Sequence, residues 1–337
     1  MIHNNWIAII DYGSQVTQLI ARRIREQNIY CEILRFDIKL DDLIKRKPNG
    51  IILSGGPCSV TDDDAPKCDS RLFELNIPIL GICYGLQLTA QTLGGVVQAG
   101  KKHEYGKATM RILKPSPLFK NIPDSIQVWM SHGDKVIKKP NDFDVIAKSD
   151  NCSLATIQNM DKMIFGVQFH PEVVHTPEGS QILRNFAVNV CKCKNDWVME
   201  KFIEHTIQNI QETVDKENII LGLSGGVDSS VVAALIHKAV GNQLHCVYVD
   251  NGLMRFNETE EIKSLFKEAF GINLYVVNAG SIFIRNLKNV IDPEEKRKII
   301  GSTFIDVFSQ KAREISKNIK FLAQGTLYPD VIESISP

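Results

Sequence analysis

The chain has 337 residues, a length that suggests about two domains. Apolar residues make up 44% of it and charged residues 23%, so it can bury real cores and is not a disordered tail. Lys plus Arg and Asp plus Glu each number 39, a formal net charge of +0, which argues against general binding to a nucleic-acid backbone.

No apolar run reaches the roughly 18 residues of a membrane span, so no membrane role is expected. Residues 1–13 carry no basic region and no small-residue cleavage site, and the apolar stretch 6–10 reads as a first strand rather than a secretory signal. Residues 15–27 place Val16, Leu19, Ile20, Arg23, Ile24 and Gln27 at helical spacing. Further strands are expected at 30–34, 50–54 and 78–81. Strands alternating with helices imply a mostly parallel sheet covered on both faces. Residues 107–168 differ: short strands at 108–113, 126–130, 144–148 and 163–169 suggest an antiparallel extension, followed by a helix near 178–190.

The polar stretch 191–196 then marks a boundary, and the predicted domains are 1–194 and 195–337. A second series follows: helix 197–213, strand 219–223, helix 228–239, strand 244–249, helix 257–269 and strand 274–277. A long helical insertion at about 293–317, a strand at 321–323 and a turn at 328–330 complete it. The predicted fold class is α/β, an open, mostly parallel sheet domain followed by a Rossmann-like domain. The eight cysteines are dispersed without a CxxC pair, so neither a zinc ribbon nor a thioredoxin-type motif is present, and a reduced cytoplasmic setting is expected.

Gly81-Ile82-Cys83-Tyr84-Gly85 lies between an apolar strand and an apparent helix, 86–93. A nucleophile between close glycines at a strand-to-helix turn is an elbow arrangement, and the helix N-terminus would favour a thiolate there. A buried structural cysteine fits the same residues equally well. The strand that ends in His170-Pro171-Glu172 shifts the balance, because a histidine can take the thiol proton and a carboxylate two residues on can orient the imidazole. Ser54-Gly55-Gly56-Pro57, at another strand end, can turn backbone N–H groups toward a developing oxyanion, although alone it is an ordinary turn signal.

Ser224-Gly225-Gly226-Val227-Asp228-Ser229-Ser230 connects a strand to a helix in the second half. Backbone N–H groups, serine hydroxyls and the helix dipole make such a loop an anion cradle. It is not a Walker A loop, since no Gly-Lys-Ser/Thr follows. Asp228 would repel phosphate unless a cation lies between them, which makes it a candidate magnesium group.

In the first half, Gly81 to Gln87, Ser54 to Pro57 and His170-Pro171-Glu172 together resemble the class I glutamine amidotransferase family, over residues 6 to about 190. The resemblance implies a triad of Cys83, His170 and Glu172, an oxyanion hole from the N–H groups of Gly56 and Tyr84, and Gln87 holding glutamine. The loop at 224–230 resembles the ATP pyrophosphatases, which implies ATP binding there, with Val249 and its strand end beside the adenine and residues 322–330 as another wall. Both halves in this order, with Trp129 to Asp134, His170 to Thr176 and Leu322 to Asp330, resemble the family of glutamine-hydrolysing GMP synthases. That resemblance implies glutamine, ATP and XMP as substrates, Mg2+ accompanying ATP and no organic cofactor. The family continues past the position of Pro337 with a C-terminal dimerisation domain that contributes to the XMP site. The chain as given is therefore expected to make little or no GMP unaided. Two other readings stand beside this one: amidation of a different carbonyl acceptor, as in NAD or asparagine synthesis, and a regulatory module that binds glutamine or ATP without turnover.

Overall fold

The computed structural model describes residues 5–315 and 318–325. The predicted turn at 328–330 lies outside them. The chain divides into two compact units, Met1–Val198 and Met199–Pro337.

The first unit begins with β1 (Trp6–Asp11), α1 (Thr17–Arg25), β2 (Tyr30–Arg35), α2 (Leu40–Arg46) and β3 (Gly50–Leu53). It continues with β4 (Ile79–Ile82), α3 (Tyr84–Thr92) and β5 (Val96–Ile112). Then come β6 (Ser125–Lys138), β7 (Asp144–Ser149), β8 (Thr156–Asn159), β9 (Ile164–Val167) and α4 (Gly179–Arg184), which runs on as a π-helical turn, Asn185–Val190. The nine strands form one sheet in the order β2-β1-β3-β4-β9-β8-β7-β5-β6. From β2 to β9 every pair is parallel, and from β9 to β6 every pair is antiparallel. The sheet is thus mixed, its antiparallel half larger than the predicted extension because β5 starts at Val96 and β8 is an added strand.

Alternation along β1 explains the coverage of both faces. Ile7 and Ile9 pack with Ile20 and Ile24 of α1, while Trp6, Ala8 and Ile10 join the opposite core with Leu40 and Leu43 of α2. A strand buried on both sides reads as a continuous apolar run, as residues 6–10 do.

The second unit carries α5 (Met199–Val214), β10 (Asn218–Gly222), α6 (Val227–Val240) and β11 (Leu244–Asp250). It continues with α7 (Glu258–Lys263), extended by a π-helical turn at Ser264–Ala269, then β12 (Asn273–Asn278), α8 (Gly280–Asn286), α9 (Pro293–Ile315) and β13 (Ile319–Ala323). Its four strands are all parallel, in the order β12-β11-β10-β13. Leu221, Cys246 and Tyr248 face one core, and Ile220, Val247 and Val249 face the other. Among the described residues, no helix is long and apolar enough to cross a membrane.

Candidate active site

Strands β3, β4 and β9 are neighbours and parallel, with Leu53 opposite Gly81 and Ile82 opposite Val167. Their carboxyl ends therefore deliver Ser54 to Pro57, Cys83 and the segment leading to His170 to one edge of the sheet, where open α/β sheets bind ligands.

Cys83 joins β4 to α3 with φ 50° and ψ −101°, a conformation that costs a side-chain-bearing residue on the order of 1–3 kcal/mol. The positive φ is at the cysteine itself, and neither flanking glycine shares it. The glycines are needed for close approach instead. A Cβ on Gly85 would lie 2.3 Å from Leu53 O, and one on Gly81 would lie 2.5 Å from Gly85 C and O. Two backbone bonds fasten the turn: Cys83 N–H to Val167 O at 2.8 Å and Gly85 N–H to Ser54 O at 3.1 Å.

His170 and Glu172 are both buried, and Nδ1 of the imidazole lies 2.8 Å from Glu172 Oε1. Burial alone would push His170 down. The Glu172 charge, the neighbouring Cys83 sulfur and the hydrogen bond to Glu172 outweigh it, so its pKa is raised well above the ordinary 6.5. The imidazole is thus held between the sulfur and the carboxylate. Thr176 fixes the backbone behind it, donating to His170 O at 2.7 Å and accepting from Trp129 N–H at 3.0 Å. Across the sheet edge, a Cβ on Gly55 would meet His170 Cε1 at 3.2 Å, so this glycine leaves room for the ring.

Cys83 is only 6% exposed, yet it lines a cleft of about 380 Å³ together with Gly56, Tyr84 and Gln87. The predicted nucleophile, the predicted oxyanion donors and the predicted substrate holder thus share one cavity. Gln87 donates from Nε2 to Asp134 O at 2.8 Å and so ties α3 to the segment Ser131–Asp134 on the far wall.

In the second unit, the loop from Ser224 to Ser230 follows β10 and opens α6 with Gly226 as N-cap. Gly225 has φ +79°, and a Cβ there would meet Ile262 Cδ1 at 2.5 Å. Ser224 and Ser229 hydroxyls lie 2.9 Å apart, and those of Ser229 and Ser230 donate to Gly226 O at 3.0 and 2.7 Å. Val227 and Asp228 are exposed at the helix start. Val249 is buried in the core within β11, so its side chain does not face a ligand. Gly325, after β13, sits against the same loop, 3.7 Å from Ser229 N to its would-be Cβ. Residues 326–330 of the expected wall lie outside the described residues. Among the described residues no cluster of three or more His, Cys, Asp or Glu could hold a metal. The carboxylate of Asp228 is exposed at the helix start, and Glu258 Oε1 lies 3.8 Å from a would-be Cβ on Gly225 of the same loop, a sparse carboxylate set that suits a Mg2+ arriving with phosphates and keeping most of its shell as water and phosphate oxygen.

Residues 8–190 match the family model of the class-I glutamine amidotransferases, more than half of the chain and the unit that holds this cleft. The chain belongs to the class-I glutamine amidotransferase family. Beyond the amidotransferase unit, residues 198–302 match the NAD synthase family. A GMP synthase (glutamine-hydrolysing) of Brachyspira hyodysenteriae is 53% identical over 98% of this chain and 64% of its own length. One of the same name from Photobacterium profundum is 51% identical over 99% of this chain and 64% of its own. The chain thus spans just under two-thirds of the length of these curated relatives. A crystal structure from Thermoplasma acidophilum, named for one component of a GMP synthase, is 32% identical, covers 60% of this chain and 98% of its own, and has a TM-score of 0.49.

Three features of the amidotransferase cleft carry no signal in the spacing of the motifs. Cys83 Sγ lies 3.6 Å from Ser131 O and 3.6 Å from Gln168 Nε2. His132, buried near Cys83, faces Glu104 Oε2 at 3.3 Å through Nε2 and Asp134 O at 2.9 Å through Nδ1.

Proposed function

We propose that the chain carries the glutaminase and ATP-activating halves of a glutamine-hydrolysing GMP synthase. The observation that carries the first half is the strained Cys83 elbow with the buried His170–Glu172 pair against it. In this reading His170 takes the thiol proton and Cys83 attacks the side-chain amide carbon of glutamine. The oxyanion forms against the N–H groups of Gly56 and Tyr84. His170 returns its proton to the leaving nitrogen, so ammonia departs and a thioester remains. Water then releases glutamate and restores the thiol.

In the second half, the N–H groups and hydroxyls of Ser224 to Ser230 would hold the β and γ phosphates of ATP, and Asp228 the accompanying Mg2+, which would neutralise phosphate charge. The O2 oxygen of XMP would attack the α-phosphorus and release pyrophosphate. Ammonia would then displace AMP to give GMP. Support for XMP as acceptor comes from the relatives' names. The match to the NAD synthase family favours a second reading, in which a carboxylate of a deamidated dinucleotide is the acceptor. We place the protein in the cytoplasm; its eight free cysteines support a reducing setting.

The test measures ammonia release from glutamine and ATP–pyrophosphate exchange in the purified chain. Expected are glutaminase activity that disappears in Cys83→Ala and exchange stimulated by XMP. Ammonia release unchanged in Cys83→Ala would refute the glutaminase reading. Exchange stimulated by deamidated NAD and not by XMP would replace the acceptor.

A further inference from the structure

We propose that Gln168 is a further catalytic residue, whose carboxamide holds the Cys83 sulfur as thiolate by donating an N–H from Nε2 at 3.6 Å. The inference rests on the reading of Cys83 as nucleophile. Gln168 is fully buried, in the bend that immediately follows β9. Just past the end of β9 the chain bends at Gln168 and Phe169: Phe169 enters the core, while the Gln168 amide reaches the sulfur. Gln168 N–H donates to Ala155 O at 2.9 Å, which pins the backbone that aims the amide.

The sulfur has two polar neighbours of opposite kind besides His170. Ser131 O, at 3.6 Å, can only accept, so it favours the protonated thiol. The Gln168 amide donates, so it favours the thiolate. When the proton passes from Sγ to His170, the bond to Ser131 is lost and the bond from Gln168 strengthens. The amide thus compensates the sulfur at the moment it becomes a nucleophile. Its oxygen, Oε1, is buried and has no hydrogen-bond partner among the described residues. A buried glutamine with one end unsatisfied is poor packing material, and its satisfied end is on the nucleophile. The titratable groups around the sulfur are His170 with Glu172 behind it, His132 with Glu104, and Cys152, and none of them supplies this neutral donor.

The test replaces the amide by a chain of equal length without a donor, Gln168→Met. Iodoacetamide alkylates thiolates, and the Cys83 peptide is followed by mass spectrometry. At about pH 7 the alkylation rate of Cys83 is expected to fall on the order of ten-fold, and the two proteins should converge at high pH, where the thiol is ionised in both. Glutaminase kcat should fall in parallel with little change in KM. A Gln168→Met rate at neutral pH equal to or above that of the unmodified protein overturns the proposal. A second measurement needs no core substitution at Gln168: the side-chain amide resonances of Gln168 should move between the unmodified protein and Cys83→Ala, and unmoved resonances overturn the proposal as well. Failure of the glutaminase reading looks different, since the chain would then release no ammonia while the alkylation comparison still reads the sulfur.

Discussion

His170 is subject to two opposing influences: burial, which disfavours the imidazolium, and the carboxylate of Glu172 at 2.8 Å with the Cys83 sulfur, which together favour it. The second influence wins, and the sign of its effect on stability follows. The folded chain keeps this proton to a higher pH than the unfolded chain, where histidine titrates near 6.5. The stabilisation is complete below about pH 6.5 and is lost as pH rises through the folded-state value. Replacing Glu172 with Gln keeps the shape and removes the charge, leaving burial opposed only by the Cys83 sulfur. The His170 resonance should then titrate at lower pH than in the unmodified chain, and the loss of stability on alkalinisation should shrink and move to lower pH. Urea unfolding midpoints from about pH 6 upward, with imidazole chemical shifts, check both changes. Glutaminase kcat should fall roughly ten- to hundred-fold, because the base is no longer held in one tautomer.

The elbow between β4 and α3 works because a helix starts almost on top of the neighbouring strand β3. Gly85 is where they touch, with a Cβ on it expected to lie 2.3 Å from Leu53 O and 2.7 Å from Leu53 Cβ. Neither atom can swing away, so Gly85→Ala should destabilise the first unit by about 3 kcal/mol. Gly301 makes the opposite case: it lies inside α9, exposed, with nothing within 4 Å of its would-be Cβ. Gly301→Ala should stabilise the second unit by about 0.5–1 kcal/mol. Denaturant midpoints of the two variants should move in opposite directions. Elements of the parallel half are legible because strands buried on both faces are written as apolar runs. Strand β8 is not, since Thr156, Gln158 and Asn159 are buried polar residues satisfied by partners far away in sequence or by the turn that follows. Thr156 bonds Met110, Gln158 bonds Ser116, and Asn159 accepts from Lys162 N–H. The short helices α2 and α8 have too few turns to show a period. At the site, Cys83, His170 and Glu172 are legible as motifs, whereas Gln168, Ser131 and the His132–Glu104 pair become neighbours of the sulfur only through sheet pairing.

Each unit of the molecule has its own cores, and the cores of the first lie wholly within residues 6–193. The residues just beyond these cores decide where that unit ends. Trp197 is buried to 8% exposure, and its N–H donates to Asn28 O at 2.9 Å. Asn5 spans the same place, donating to Lys194 O at 2.9 Å and Asp196 Oδ1 at 2.8 Å, and accepting from Lys194 N–H at 2.9 Å. Asp196 and Trp197 therefore belong to the first unit by contact, although the polar stretch 191–196 reads as a boundary and Trp197 as the start of the next helix. Residues 1–198 expressed alone should fold and unfold cooperatively, with Cys83 as reactive as in the whole chain. A fragment ending at residue 194 loses the indole and one of the three Asn5 bonds, that to Asp196, and should be less stable by about 3 kcal/mol. At this size that is a drop of roughly 6–12 °C in melting temperature. Circular-dichroism melts of the two fragments make the comparison, and equal midpoints would show that Trp197 contributes nothing to the fold of this unit.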